Sequence, residues 1–244
     1  MKLSSILLPL ALCSTPAFAA VSLPYSNNFA SSAADFTPNA GGNWSLVTGT
    51  YQNVVPGNTP SYSTVAVTGR PANQPFQIST TFQVKETAFN FSVGFAALAT
   101  TSNLGSASYY LADVSQSGGM RFRVFTDGGA AGADSAVNTT GTGIGNIAID
   151  ETITLTLTGT YDLGGALTLA LTAFDGTNSQ TITLAAPIAS PFAGTNFGYR
   201  NRSNTDADPM TVQLDNFSIN AVPEPGSVAL LGLGLAGAVI RRRR

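Results

Sequence analysis

Residues 151–184 read ETITLTLTGTYDLGGALTLALTAFDGTNSQTITL and contain three runs in which apolar and polar residues alternate. The first run places Ile153, Leu155 and Leu157 between threonines, and the second repeats the pattern at 167–171, after the turn-forming sequence YDLGG. The third run follows another turn sequence, DGTN. Because successive side chains of a strand point to opposite faces, this segment predicts a three-stranded antiparallel meander with one apolar and one polar face.

Similar but less regular stretches occur on both sides of the meander. They are NWSLVTGTYQNV, STVAV, FQISTTFQVK, FNFSVGFAAL, SYYLADV, RFRVF, TNFGYR and MTVQLDNFSI. Together with the meander they predict about ten to twelve short strands, and no segment before residue 226 has a helical period. Many short strands separated by turns predict an all-β fold, an antiparallel β-sandwich or a barrel.

Residues 126–146 form an unusual segment of small and polar residues that includes six glycines. A loop of this length inside a compact domain is either a functional loop or a plain surface loop. The sequence leaves both interpretations open.

The N-terminus has the three-part layout of a secretory signal peptide. A positive charge at Lys2 precedes an apolar stretch at 3–12, and the sequence AFA at 17–19 offers a small-x-small cleavage site. This layout predicts export and cleavage after Ala19, so that residues 1–19 are removed. A lipoprotein signal at Cys13 is the alternative, but a leucine directly precedes the cysteine where a small residue is favoured.

Composition excludes several classes of chemistry. Removal of the signal peptide also removes Cys13, the only cysteine, and the chain has no histidine. Nucleophilic sites of the Ser-His-Asp or Cys-His type, zinc sites built on histidine or cysteine, and haem ligation by histidine are therefore excluded. The predicted working domain, residues 20–221, carries six basic and twelve acidic residues, a net charge of −6. With so few basic residues, scattered along the sequence, no nucleic-acid partner is expected.

Several stretches resemble one fold family. YSNNF and ADFTPNAGGNWSLVTGTYQ, near the start, are similar to the opening of concanavalin A-like (laminin-G-like) jelly-roll domains. The meander with its FDG turn and the closing FGYRNRSNTDADPMTVQLDNFSI are similar to the middle and last strands of that fold. The resemblance covers most of residues 23–220. It implies two facing antiparallel sheets, one of them concave, with glycans often bound on the concave face or at the loop edge.

The chain ends VPEPGSVALLGLGLAGAVIRRRR, in which an apolar run at 226–240 precedes four arginines, Arg241 to Arg244. As a helix, the run reaches only about 22 Å, less than the ~30 Å hydrocarbon core of a bilayer. The arginines would hold the C-terminus on the cytoplasmic side. The predicted C-terminal apolar helix can therefore insert into the inner membrane but makes a marginal permanent anchor.

This tail closely resembles the PEP-CTERM sorting signal of Gram-negative bacteria. Pro223-Glu224-Pro225, the short apolar helix and the arginine cluster occur in that order within residues 222–244. The resemblance implies that a membrane exosortase recognises the Pro-Glu-Pro motif and processes the tail. After transient anchoring, the protein would reach the cell surface or the extracellular polysaccharide. A plain C-terminal membrane anchor is the alternative.

A carboxylate pair of the kind that glycosidases use is the catalytic route left open by the composition. Jelly-roll glucanases place such a pair on one strand in a Glu-x-Asp-x-x-Glu-like pattern, which this sequence lacks. The adjacent Asp150 and Glu151 would point to opposite faces of a strand, so we expect them to cap a strand instead. The sequence therefore predicts no catalytic residues.

Calcium is a candidate ligand of two acidic stretches. Asp206 and Asp208 alternate in the loop sequence SNTDADP, and oxygen ligands at alternating positions suit calcium. Asp215 and Asn216, in LDNF, resemble the last-strand pair that helps to hold a structural calcium in some jelly-roll carbohydrate-binding modules. The alternative is that the two loop aspartates only form turns and keep the loop soluble.

Aromatic and basic residues are the candidate glycan contacts. Trp44 is the sole tryptophan and lies in an alternating strand, where a core role is the more common one. Tyr199 is a further candidate, and Tyr109 and Tyr110 are strand neighbours, so we expect one of them to face inward and the other outward.

Arg200 and Arg202, two residues apart, are expected to share a face that Asn201 does not. They could contact a polar or anionic glycan, or they could simply be solubilising charges. Together these features predict a secreted jelly-roll protein without enzymatic activity that associates with exopolysaccharide in a structural or adhesive role. The alternatives are a polysaccharide hydrolase with paired carboxylates and a structural matrix protein that binds no glycan.

Overall fold

The computed structural model describes residues 20–39, 41–86, 90–130, 144–184, 186–203 and 209–222. These residues form sixteen β-strands and no helix. The strands are β1 (Val21–Ser22), β2 (Tyr25–Asn27), β3 (Thr37–Asn39), β4 (Asn43–Val47), β5 (Thr50–Val55), β6 (Pro60–Thr68), β7 (Phe76–Glu86), β8 (Phe91–Ala99), β9 (Tyr109–Ser115), β10 (Met120–Thr126), β11 (Gly129–Ala130), β12 (Ile153–Tyr161), β13 (Leu167–Phe174), β14 (Ser179–Thr183), β15 (Asn196–Ser203) and β16 (Met210–Ala221). The predicted C-terminal helix lies outside the described residues.

The strands form two eight-stranded sheets that face each other across the core. Sheet A has the order β1-β6-β15-β8-β9-β10-β11, with β3 also paired to β6, and sheet B has the order β14-β13-β12-β7-β16-β5-β4, with β2 also paired to β16. β1 and β6 pair in parallel, and the other described pairs are antiparallel. The predicted antiparallel sandwich is confirmed. The strands outnumber the prediction because β1, β2, β3 and β11 are only two or three residues long.

Residues 151–184 form the meander that their alternation predicts. β12 pairs with β13 and β13 with β14, each antiparallel. Ile153, Leu155 and Leu157 are buried, whereas the threonines between them are only partly buried on the opposite face. Gly159 continues the buried face, where the ring of Phe76 on β7 occupies the space that a Cβ would need.

The core between the sheets contains a cluster of aromatic rings. Tyr199 of sheet A stacks on Phe36, with 5.8 Å between ring centroids. The hydroxyl of Tyr51 in sheet B lies 2.7 Å from the Ser63 hydroxyl in sheet A. The Tyr199 hydroxyl likewise lies 2.9 Å from that of Thr80 in sheet B. These hydrogen bonds link the sheets and remove the cost of burying unpaired hydroxyls.

Sheet A carries a second, smaller apolar cluster on the side away from the core. Tyr109 and Leu111 belong to this second cluster, whereas the alternate residues of β9, Tyr110 and Ala112, belong to the main core. Its other buried members are Ala96, Ala99, Leu104, Ala107 and Phe125. Since Leu104 and Ala107 come from the β8–β9 loop, that loop folds over the sheet. The central strands of sheet A are therefore buried on both faces.

Candidate functional site

The side of sheet A that faces away from the main core, called the outer face below, carries a row of polar residues. Arg121, Asp113, Gly94, Arg200 and Tyr62 are successive cross-strand partners on β10, β9, β8, β15 and β6. Directly opposed residues of a sheet point the same way, so the five form one row across five strands. The residues that flank the middle members along β8 and β9 belong to the main core, which places the row on the outer face.

Asp113 and Arg121 form an ion pair within this row. Arg121 Nε donates to Asp113 Oδ1 at 2.6 Å and Arg121 Nη2 donates to Asp113 Oδ2 at 3.0 Å, a bidentate arrangement. The Asp113 side chain is fully buried, while that of Arg121 is 22 % exposed. Both oxygens of the acidic member of the row are thus already occupied by Arg121.

Gly94 leaves space for the neighbouring member of the row, Asp113. A Cβ at this position would overlap the Cα and Cβ atoms of Asp113 on the neighbouring strand. Glycine therefore leaves room for the Asp113 side chain and keeps the centre of the row free of a side chain between Asp113 and Arg200.

Arg200 is the buried cation of the row. It is 3 % exposed, and its guanidinium carbon lies 4.9 Å from the ring centre of Phe125 and 5.9 Å from that of Tyr62. These cation–π contacts offset part of the cost of removing the charge from water. Among the described residues, its Nε and Nη1 atoms make no hydrogen bond of good geometry, although the Tyr109 hydroxyl lies near the guanidinium group. The residue therefore keeps unused donors on two nitrogen atoms.

Arg202 and Ser92 lie next to this row as cross-strand partners on β15 and β8. Arg202 Nη2 donates to Asn58 Oδ1 at 2.7 Å. The Arg202 Nε atom and the fully buried Ser92 Oγ atom find no partner in the described part of the chain. Arg123, two residues beyond Arg121 on β10, points to the same face.

The outer face is basic although the domain is acidic. Four of the six basic residues in the described ranges lie on it, namely Arg121, Arg123, Arg200 and Arg202. Asp113 is paired with Arg121, and Asp127, at the rim, accepts a hydrogen bond from the Ser108 hydroxyl at 3.4 Å. Counted over the described residues alone, the face therefore has an excess of positive charge.

The three tyrosines that are candidate glycan contacts, Tyr109, Tyr110 and Tyr199, are buried, so none of them presents an exposed ring to a sugar. Tyr109 is 0 % exposed beneath the parallel ring of Phe125, at 4.6 Å, and Tyr199 is 1 % exposed in the main core. Tyr110 is also buried and accepts a hydrogen bond from the backbone N–H of Phe192 at 3.1 Å. One of the two neighbours faces the main core and the other the outer face, as expected for adjacent strand residues, but the second cluster covers the outer side of β9.

Burial also changes the acidity of these tyrosines. It raises the pKa of Tyr51 to about 12, with the Ser63 hydrogen bond acting in the opposite direction. Burial likewise raises the pKa of Tyr109, an increase that the Arg200 guanidinium partly opposes. The pKa values of Tyr110 and Tyr199 rise for the same reason. These phenols stay protonated at neutral pH and are not suited to act as a general base.

Trp44 packs against the border of the main core. Its ring centre lies 4.8 Å from that of Tyr51 and 6.2 Å from that of Tyr199. The side chain is partly buried, and these two rings occupy its inner surface. The core role expected from the alternation of its strand therefore describes Trp44 better than the role of a free sugar platform.

Arg200 and Arg202 share the outer face as their spacing predicts, while Asn201 points inward and donates to Asn53 at 3.0 Å. The alternative of a solvated surface charge is wrong for Arg200, because the second cluster and Tyr62 enclose it. Sequence analysis missed the other polar residues of the outer face, namely Ser92, Asp113, Arg121 and Arg123. The RFR sequence at 121–123 repeats the R-x-R spacing of RNR at 200–202, and this shared spacing is the signal that could have identified two of them.

Of the three aspartates that are candidate calcium ligands, only Asp215 lies in the described residues. Asp206 and Asp208 lie outside them. Asp215 sits at a bulge of β16, where its Oδ1 atom accepts the backbone N–H of Asn216 at 2.7 Å. The described ranges contain no group of three or more histidine, cysteine, aspartate or glutamate residues that could hold a metal. Asp215 alone does not fit calcium, which takes roughly six to eight oxygen ligands.

Asp150 and Glu151 lie in the turn before β12. Lys85 Nζ donates to Asp150 Oδ1 at 2.8 Å, and the backbone N–H of Ala148 donates to Glu151 Oε2 at 2.7 Å. Both carboxylates therefore stabilise the entry to the strand, in agreement with the expected capping role.

The predicted signal peptide, residues 1–19, and the sorting residues Pro223, Glu224 and Pro225 lie outside the described residues. β16 ends at Ala221, and the backbone N–H of Val222 still donates to the Pro75 carbonyl at 3.0 Å. Within the described ranges, no helix has the length and apolar character needed to cross a bilayer.

A family model of the PEP-CTERM protein-sorting motif matches residues 221–244, within one residue of the predicted segment. This motif indicates export and C-terminal membrane anchoring before sorting. A comparison with curated protein sequences gives no match.

Solved structures share the fold at low sequence identity. The Lotus tetragonolobus seed lectin has a TM-score of 0.54 at 12 % identity, covering 83 % of this chain and 100 % of the lectin. The Bauhinia forficata lectin in complex with GalNAc has a TM-score of 0.52 at 13 % identity, covering 82 % and 99 % of the two chains. The PL-14 alginate lyase from Aplysia kurodai has a TM-score of 0.51 at 8 % identity, covering 77 % and 89 %. The chain therefore combines a domain of the lectin-like, concanavalin A-like jelly-roll fold with a PEP-CTERM sorting motif at its C-terminus.

Proposed function

We propose that this protein is exported, processed at its tail by an exosortase and retained at the cell surface or in the matrix through association with exopolysaccharide. The role is structural or adhesive, without catalysis. The observation that carries the proposal is the sorting motif at 221–244 joined to a jelly-roll domain with a basic outer face. The motif supports export and processing, and the fold shared with lectins supports sugar binding.

A sugar-cleaving enzyme is the second candidate, because the alginate lyase from Aplysia kurodai has the same fold. The described residues favour binding without cleavage. Hydrolysis uses two carboxylates on either side of the scissile bond, whereas Asp113 is buried in a bidentate pair with Arg121. Elimination needs a base that removes a proton, and burial raises the pKa of Tyr109, so its phenol is harder to ionise than that of an exposed tyrosine.

Binding of the full chain, kept in a mild detergent, to the immobilised exopolysaccharide of the producing bacterium tests the proposal. We expect saturable binding and no change in polymer length, as measured by size-exclusion chromatography. Shortened polymer would make the protein an enzyme. No saturable binding would favour a structural matrix protein that binds no glycan.

A calcium site at Asp206 and Asp208 remains a proposal that the same preparation can test. If these residues hold calcium, chelation should lower the thermal unfolding midpoint, and calcium should restore it better than magnesium does. An Asp206→Asn, Asp208→Asn double variant should then no longer respond to calcium, while Asp215→Asn serves as the control. An unfolding midpoint that is indifferent to chelation would contradict the site.

A further inference from the structure

Arg200 has hydrogen-bonding capacity that the described residues leave unused. It is 3 % exposed, and neither its Nε nor its Nη1 atom donates to a described group. An unsatisfied donor on a buried charged group is costly, and native proteins contain few of them. A ligand that accepts hydrogen bonds from Arg200 would remove this cost.

Neighbouring groups indicate the chemistry of such a ligand. The Arg202 Nε atom and the buried Ser92 Oγ atom also lack partners in the described part of the chain. Asp113, the carboxylate of the row, is already occupied by Arg121. The face thus offers guanidinium donors, positive charge and the hydroxyls of Ser92 and Tyr109, while its carboxylate is occupied, which favours an anion over a neutral sugar. The planar fork of a guanidinium group matches the two oxygens of a carboxylate.

The spacing of the arginines favours a polymer over a small ion. Arg121 and Arg200 stand in one row, with β9 and β8 between their strands. Neighbouring strands lie about 4.8 Å apart, so their backbones are separated by about 14 Å. A chain with repeated anionic groups can contact several arginines together, and linked contacts reinforce one another.

We propose that the outer face of sheet A binds an acidic polysaccharide through its carboxylate groups. Arg202 is the central contact, the enclosed Arg200 adds positive charge two residues away on β15, and Arg121 and Arg123 extend the site along β10. This inference rests on the proposed function and adds the class of ligand to it. Arg202 is more accessible than Arg200, so its replacement is the primary test.

The experiment measures binding of the full chain in mild detergent to polygalacturonate and to its methyl ester, which has the same backbone but no charge. We expect the ester to bind at least about tenfold more weakly, because charge-assisted hydrogen bonds are lost. Double-stranded DNA at equal charge concentration should not compete, because its phosphates do not repeat the geometry of the sugar carboxylates. Equal binding of the acid and the ester would overturn the proposal, as would equal competition by DNA.

Variants locate the site. Arg202→Gln should weaken polygalacturonate binding about tenfold, whereas Lys85→Gln, with the same loss of charge on sheet B, should stay within about twofold. Arg200→Lys keeps the charge but loses the planar fork, so it should also bind more weakly, and its unfolding midpoint, measured in parallel, shows whether the variant is folded. If Arg200→Lys fails to fold, Arg123→Gln replaces it. Equal weakening by Lys85→Gln and Arg202→Gln would show that the outer face is not the site.

The binding experiments distinguish failure of this inference from failure of the proposed function. Binding to the producing bacterium's exopolysaccharide, without binding to polygalacturonate, would overturn this inference and leave the proposed function intact. Binding to none of these polymers would contradict both.

Discussion

Sheets A and B have equal numbers of strands but different patterns of burial. In sheet B, β12 and β13 alternate between buried and more exposed residues. In sheet A, β8 is buried at every position, and β9 and β15 are buried at all but one. The difference arises because the second cluster covers the outer face of sheet A, whereas no such cluster covers the described threonines of sheet B. A strand that is covered on both sides does not alternate apolar and polar residues in its sequence. A charged side chain on such a strand is shielded from water.

The largest effect that we expect is a loss of stability at alkaline pH, because tyrosines are buried in both sheets. Burial raises the pKa of Tyr51 to about 12, and it raises the pKa of Tyr109, Tyr110 and Tyr199 as well. Unfolded tyrosines ionise near about pH 10, so stability is fully present below that pH and is lost as the pH rises toward the folded pKa values. The free energy of unfolding, measured with urea, should fall above about pH 10 by about 1.4 kcal/mol per pH unit for each buried phenol.

Two single variants use this effect to compare the faces of β9. Tyr109→Phe removes a phenol from the outer face, and Tyr110→Phe removes one from the main core. Each should make the alkaline fall shallower. If Tyr110→Phe alone has this effect, the outer face is not buried in solution.

Truncation of leucines tests the same difference at neutral pH. Leu155→Ala in the main core should cost about 2–5 kcal/mol, and Leu111→Ala, on the outer face of sheet A, should fall at the lower end of that range. Thr154→Ala, on the outer side of sheet B, should cost less than about 1 kcal/mol. Urea denaturation provides the values. A Leu111→Ala cost as small as that of Thr154→Ala would mean that the second cluster contributes little.

The smallest effects that we expect concern the two ion pairs. Asp113→Asn breaks the bidentate pair on sheet A, and because the Asp113 side chain is fully buried it should cost about 1–3 kcal/mol. Lys85→Gln breaks the exposed pair with Asp150 on sheet B and should cost less than about 1 kcal/mol. Denaturation at low and high salt separates the two, since salt should weaken the exposed pair more. If Asp113→Asn and Lys85→Gln lowered the free energy of unfolding by similar amounts with similar salt dependence, the pair on sheet A would not be better shielded from solvent than the pair on sheet B.

Local patterns were sufficient for some of these features. The alternation at 151–184 was enough to predict the meander. A strand with one buried and one solvated face alternates apolar and polar residues, and this alternation is visible in consecutive residues of the sequence. The tail at 221–244 was recognisable because its motif, apolar run and arginines are contiguous. The absence of histidine, and of cysteine outside residue 13, excluded whole classes of catalysis without any structure.

Tertiary structure alone decided the candidate site. The row takes one residue from each of five strands, and pairing of β8 with β15 and of β15 with β6 brings Arg200 and Tyr62 beside the consecutive strands β8, β9 and β10. Tertiary packing also brings the β8–β9 loop over the outer face and buries Tyr109, one of the candidate glycan contacts. The alternation of residues in the sequence indicates on which face of a strand a side chain lies, but only the assembled sheets determine what covers that face.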